Sequence, residues 1–164
     1  VRGPDGAVRA LVSMALDICP PAGQRVPAGG LWAALLLLAG SAAMAFAQRW
    51  LGRGGQGRLR AAVAFAVLAS WAGMGLEAWL HSHAGLAPRS SAWSATVAAL
   101  LAWQGLHAML LVVMGCYLFA RSACGWLRTD ARATLDNVTL LWHLVTAEAL
   151  VTLAIVRWLP AWMG

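Results

Sequence analysis

Four apolar stretches dominate the chain, from about Gly30 to Ala47, Ala61 to Leu80, Trp93 to Ala120 and Val138 to Leu159. Each approaches or exceeds the ~20 residues with which a helix crosses ~30 Å of hydrocarbon. Lipid offers the backbone no hydrogen bonds, so such a segment must close its own bonds as a helix; strand-like alternation is absent. The pattern predicts an all-α fold, a transmembrane four-helix bundle over residues 30–164. The third stretch is long enough to tilt or to project beyond the bilayer. Composition agrees: of 164 residues, 61% are hydrophobic and 11% charged, against roughly 25% charged in a soluble domain. Mean hydropathy is +0.69. The length suits one small bundle and no second domain.

The net charge of +6 comes from arginine alone, since the sequence has no lysine. Such a balance can signal nucleic acid. Here, however, the arginines gather in short gaps between apolar stretches, where they set orientation and meet anionic lipid head groups, so no nucleic-acid partner is expected. Arg49, Arg53, Arg58 and Arg60 fall in a Gly-rich turn after the first stretch, and Arg121, Arg128 and Arg132 follow the third. Arg25, Arg89 and Arg157 fall on the other side, together with Arg2 and Arg9 if the segment before the first stretch stays there. Seven against five, and denser near the helix ends, predicts that the two Arg-rich gaps face the cytoplasm and both termini face outward. Trp32, Trp50, Trp79, Trp93, Trp126, Trp158 and Trp162 lie near the ends of stretches, as an interfacial aromatic belt requires.

Residues 1–29 mix Arg2, Asp5, Arg9, Asp17 and Arg25 with a Pro20-Pro21 pair, and the apolar run Leu11–Ile18 is too short to cross a bilayer. They read as an extramembrane lead-in or the remainder of a helix that starts upstream of Val1, which makes the chain part of something longer. Cys19, Cys116 and Cys124 are odd in number and form no CxxC, so neither a disulfide framework nor a zinc site is indicated. Cys116 and Cys124 are expected to act as small packing residues. Gly40, Ser41, Ala42, Ala43, Gly73 and Gly75 would let helices approach closely.

The polar residues inside the stretches are few: Glu77, Gln104, His107, His143 and Glu148, with Ser70, Thr139, Thr146 and Thr152. Ionisable groups in hydrocarbon are costly and must be paired or functional. At ~1.5 Å per residue from the cytoplasmic helix ends, Glu77 lies at ~24 Å, His107 at ~21 Å, Glu148 at ~17 Å and His143 at ~9 Å. A haem between His107 and His143 would need both at one depth, so that site is disfavoured. Glu77, His107 and Glu148 share a level closely enough to leave a metal cluster open, although the Glu-x-x-His pairs of di-metal bundles are missing. The simpler expectation is an interhelical bond between Glu77 and His107, with Gln104 joining from one helical turn away. His143 is expected to donate to a neighbouring helix. His81-Ser82-His83 reads as a solvated outer loop. No Gly-x-Ser-x-Gly, HExxH or phosphate-cradling loop occurs, so no catalytic residue is named. Gly52 to Gly57 is a turn between two membrane helices.

In ordered combination these motifs resemble subunit III of the haem-copper oxidases. Gln104-Gly105-Leu106-His107 is similar to the His-Gly-Leu-His type motif of the family's penultimate helix. Leu141-Trp142-His143-Leu144-Val145-Thr146 is similar to the aromatic-Trp-His-Phe-x-Asp motif of its last helix, and Arg121 to Arg132 to the Arg-rich turn between them. Gly75-Leu76-Glu77-Ala78-Trp79 resembles a Gly-x-Glu-Tyr stretch upstream, and Trp93-Ser94 loosely matches the start of the next helix. The sequence departs from the family at Gln104, where the first motif histidine is replaced, and at Thr146, where an aspartate is expected and Glu148 follows. The resemblance covers about Pro20 to Gly164, the last four of seven helices. It implies a non-catalytic subunit in a bacterial inner membrane, with periplasmic termini, that stabilises the catalytic subunit I, binds phospholipid, and supports proton uptake and oxygen access. It also implies no cofactor in this chain, with haem and copper in the partner, and a chain fused upstream as in some family members. The alternatives are an accessory subunit of a nitric oxide reductase, a membrane metalloprotein using Glu77, His107 and Glu148, and a lipid- or partner-binding scaffold unrelated to respiration.

Overall fold

The computed structural model of the chain describes residues 30–84, 89 and 91–163, those from 157 onward as backbone alone. The expected lead-in at 1–29 and the side chains of Arg157, Trp158 and Trp162 lie outside the described residues. Four long helices follow one another: α1 (Gly30–Gly52), α2 (Gln56–His83), α3 (Ala92–Ala123) and α4 (Ala133–Met163), with a single 3-10 turn at Thr129–Ala131 before α4. Each contains a segment long and apolar enough to cross a membrane. The regular structure among the described residues is thus all helical, consistent with a multi-pass membrane protein.

Every helix runs past the apolar stretch that marks it. Arg49 sits in the last turn of α1, and Arg58 and Arg60 sit in the first turns of α2, leaving only Arg53 of that group in the connection. Arginine is a good helix former whose stem packs along apolar surface while its head reaches out, so a charge ends the hydropathy signal without ending the helix. For the same reason His81, Ser82 and His83 belong to the last turn of α2, correcting the expected outer loop. His81 Nδ1 lies 2.9 Å from the Glu77 carbonyl oxygen, and His83 Nδ1 lies 2.8 Å from that of Trp79.

The two helix ends at the Arg-rich side close alike. The amide of Gly55 donates to the Trp50 carbonyl (2.9 Å) and that of Gly54 to the Leu51 carbonyl (3.1 Å). At α3 the amides of Trp126 and Gly125 reach Arg121 and Ser122 in the same pattern, at 2.9 and 3.2 Å. This double closure needs a left-handed residue just past the helix, and Gly54 and Gly125 both have φ of 72°. Tight closures of this kind keep the connections short. At the opposite end, Ser91 caps α3 by accepting from the Ser94 amide at 3.1 Å.

Helix α2 packs between α1 and α3, and α4 closes the ring by packing on α1 and α3. The main core occupies the Arg-rich half: Met44, Ala47 and Leu51 meet Leu59 and Val63, Leu111 and Leu118, and Leu135 and Trp142. Trp142 is the largest fully buried side chain. Glycines make room for it. A Cβ on Gly115 would lie 2.3 Å from Val67 Cγ2 and 3.1 Å from the Trp142 ring, and one on Gly40 would lie 3.2 Å from the Ala66 carbonyl and 3.3 Å from Trp142 Nε1. In lipid, where apolar surface gains little by leaving one hydrocarbon for another, such close fit is the main adhesive. Gly73 serves α1–α2 in the same way, since its Cβ would come within 3.0 Å of the Ala33 carbonyl. Gly75 does not, because a Cβ there meets nothing within 4 Å. The other half of the bundle is more loosely filled, by a small cluster of Trp93, Val97 and Val156. Trp93 is therefore a core residue rather than a member of the interfacial belt, whereas Trp32, Trp79 and Trp126 are exposed.

Candidate functional site

The mid-membrane polar residues sort into two contacts and a cavity. His107 on α3 meets Glu148 on α4, with Nδ1 3.0 Å from Oε2. The distance is that of an ion pair, but the ring N–H is not aligned for a hydrogen bond, and Nδ1 has no other partner. Both side chains are about a quarter exposed, at 26% and 25%. The Trp103 ring stands edge-on to the imidazole with centroids 4.6 Å apart and shields one side of the pair. The contact follows from depth. At ~1.5 Å per residue, His107 lies ~24 Å from the Ala123 end of α3 and Glu148 ~22 Å from the Ala133 end of α4, whereas Glu77 lies ~32 Å from the Gln56 end of α2. The expected Glu77–His107 bond is thus replaced by His107–Glu148. The helices extend further toward the Arg-rich end than the apolar stretches do, and α2 extends differently from α3.

His143 engages α1, as expected of a residue bonding a neighbouring helix: its Nδ1 lies 2.5 Å from the Ser41 hydroxyl. Next to it, Trp142 is held by shape, with its Nε1 buried and unpartnered. Thr146 turns its hydroxyl back to the Trp142 carbonyl at 2.8 Å, and the same hydroxyl lies 3.5 Å from the Leu37 carbonyl of α1. A threonine bonding four residues back commits its proton chiefly to its own helix.

Glu77 and Gln104 line one cavity of about 320 Å³, bordered by Leu37 of α1, Val145 of α4 and residues of α2 and α3. Among the described residues nothing bonds the Glu77 carboxyl, and Gln104 is buried with its Oε1 unpartnered. Nowhere among the described residues do three His, Cys, Asp or Glu side chains gather as a metal site would need, so the trio Glu77, His107 and Glu148 is not assembled.

The arginines of the two connections form a second polar surface. Arg58 stacks over the Trp50 ring at 4.2 Å and Arg53 over the same ring at 5.5 Å, while Arg49 lies over Phe46 at 5.5 Å. Arg121 donates to the Tyr117 hydroxyl at 3.0 Å, and Arg128 lies 3.5 Å from Asp130. Two of the group are structural. Arg60 donates to the Ser122 carbonyl at 2.9 Å, fastening α2 to the end of α3, and Gln56 adds a bond to the Leu127 carbonyl at 3.1 Å. Arg132 holds Asp136 at 2.8 Å, and Asp136 also accepts from Gln48 of α1 at 2.9 Å. The Asp136 hydrogen bond and its charge raise the Arg132 guanidinium above its ordinary value. Sequence reasoning missed Gln56 and Ser122, and read Ser41 as a small packing residue rather than as a bonding partner. A lone serine or glutamine in an apolar helix carries no signal until its partner is in place. A search against family models and against curated proteins found no match for the chain.

Proposed function

We propose that the chain is a non-catalytic, subunit III-like component of a haem-copper terminal oxidase, resident in a bacterial inner membrane with both termini on the periplasmic side. It would pack against the catalytic subunit that carries haem and copper, contact phospholipid with its arginine end, and support proton uptake and oxygen access. The observation that carries the reading is the job each motif residue performs. Trp142 fills the core, His143 bonds Ser41, and His107 lies at ion-pair distance from Glu148. All three sit at contacts between helices. A bundle whose motif residues are spent on assembly suits an accessory role. Its large apolar side chains at the surface, Leu106, Met109, Val113, Leu140 and Leu144 among them, suit lipid or a partner's helices.

The test is purification of the tagged chain from its native membrane in mild detergent, followed by an absorption spectrum and oxygen-consumption assay. A haem-bearing partner that consumes oxygen, and that loses activity faster over successive turnovers when this chain is deleted, is the expected result. A chain that purifies without haem sinks the proposal. A haem-bearing partner that reduces nitric oxide and not oxygen would replace it with the nitric oxide reductase reading.

A further inference from the structure

The cavity beside Glu77 has features that neither helix packing nor an accessory role uses. Gln104 is 6% exposed, and its Oε1 is fully shielded without a partner. An unmade bond on a buried amide is costly, so such groups ordinarily find a partner. The walls are otherwise apolar, with Trp71 and Met74 prominent. Two glycines, Gly75 on α2 and Gly105 on α3, also line the cavity. Unlike Gly40, Gly73 and Gly115, neither is pressed closely against a neighbouring helix: a Cβ on Gly75 meets nothing within 4 Å, and one on Gly105 meets only Met74 Sδ of α2, at 4.0 Å. Alanine is a better helix former than glycine, and here it would clash with nothing. The two glycines therefore keep space open where packing does not ask for it.

We propose that this cavity binds a lipophilic ring compound bearing a hydroxyl group, a phenol or ring alcohol drawn from the membrane. Its ring lies over Gly75 and Gly105 beside Trp71, and its hydroxyl bonds the Gln104 amide, with Glu77 as the second polar neighbour. A hydroxyl is the group that suits the site. It donates to Oε1 once the amide makes a half-turn to face the cavity, and it accepts from the amide N–H₂ if the amide stays. It also bonds a carboxyl in either protonation state. Trp71 and Gly75 are exposed, which places the mouth of the cavity on the lipid-facing side of α2. The ligand can enter from the bilayer without crossing water. This site is independent of the oxidase assignment, since it rests on the cavity alone.

The test uses the full chain in phosphatidylcholine nanodiscs and two radiolabelled probes, 1-naphthol and its methyl ether. The pair share a ring system and differ in the O–H donor. Saturable binding is expected, with 1-naphthol favoured about 10-fold, the factor that one net hydrogen bond of ~1.4 kcal/mol gives. Gly105→Leu should fill the cavity and abolish saturable binding of both probes while helical content and thermal unfolding stay unchanged. Gly75→Leu is a second filling variant should the first disturb folding. Gln104→Leu should leave the ether's binding intact and remove the preference for the hydroxyl. Equal affinity for the two probes overturns the proposal. So does undiminished binding in both glycine variants, or a co-purified phospholipid in the cavity that 1-naphthol does not displace.

Discussion

Alanine at Gly115 and alanine at Gly105 are the same change on the same helix, and the structure assigns them opposite outcomes. At Gly115 the new methyl would sit 2.3 Å from Val67 Cγ2, with the Trp142 ring at 3.1 Å on the other side. Ordinary carbon contact is about 3.5 Å, so Val67 must retreat by more than ~1 Å. Valine on a helix has one strongly preferred rotamer, and Trp142 is fully buried, so neither neighbour yields cheaply. Overpacking of this kind costs roughly 1–3 kcal/mol. At Gly105 the nearest atom is Met74 Sδ at 4.0 Å, a flexible thioether in ordinary contact. Both variants gain the same helix propensity of about 1 kcal/mol, which cancels in the comparison.

The expected result is that Gly115→Ala is less stable than Gly105→Ala by about 1–3 kcal/mol. Unfolding in mixed micelles, titrated with a denaturing detergent and followed by tryptophan fluorescence, measures the difference. Adding Val67→Ala to Gly115→Ala removes the colliding Cγ2 and should recover most of the loss. Equal stability of the two glycine variants refutes the argument, because it would mean that α2, α3 and α4 are not in contact at Gly115. A loss that Val67→Ala fails to relieve would place the clash somewhere else.

Replacing His107 with leucine should destabilise the bundle by about 1–2 kcal/mol, the upper range for polar contacts between membrane helices, because Glu148 is left unpaired in hydrocarbon. His107→Leu combined with Glu148→Leu should recover much of it, and the same unfolding assay reads the coupling. Ser41→Ala should cost about 0.6 kcal/mol and shift the His143 imidazole resonances, which a Ser41 not bonded to His143 would leave in place. Arg60→Ala removes the tie between α2 and the end of α3 and should expose residues 122–127 to limited proteolysis. An unchanged digestion pattern counts against that tie.

The helices were legible because hydrocarbon leaves a long apolar segment one way to close its backbone bonds. Their ends were not. Arg49, Arg58 and His81 read as connections, since hydropathy registers side-chain charge and not backbone geometry, and the helices continued through all three. The extra turns moved depths by several ångströms. That was enough to exchange one partner for another, so Glu77 lost His107 to Glu148. Membership of the polar set was readable from sequence, because an ionisable side chain in lipid stands out. Pairing was not, because it depends on the relative register of two helices, which no single stretch contains. Glycines were ambiguous for a similar reason. Gly73 and Gly75 lie two residues apart and look alike in sequence, yet one faces α1 at contact distance and the other faces a cavity.

That difference between neighbouring glycines divides the bundle into two working halves. Toward the arginine end, Gly40 and Gly115 admit Trp142, Arg60 and Gln56 fasten the α2–α3 connection, and Arg132 with Gln48 fixes Asp136 between α1 and α4. These ties join different helix pairs, and a bundle held firmly at one end can spare packing at the other. The spared packing is the cavity of Glu77 and Gln104, whose two open glycines contribute nothing to cohesion. Filling the cavity should therefore leave stability unchanged or improve it, whereas filling the space at Gly115 should weaken the bundle. A fold shaped by stability alone would have closed both spaces, so the open one is where a function beyond assembly has to be sought.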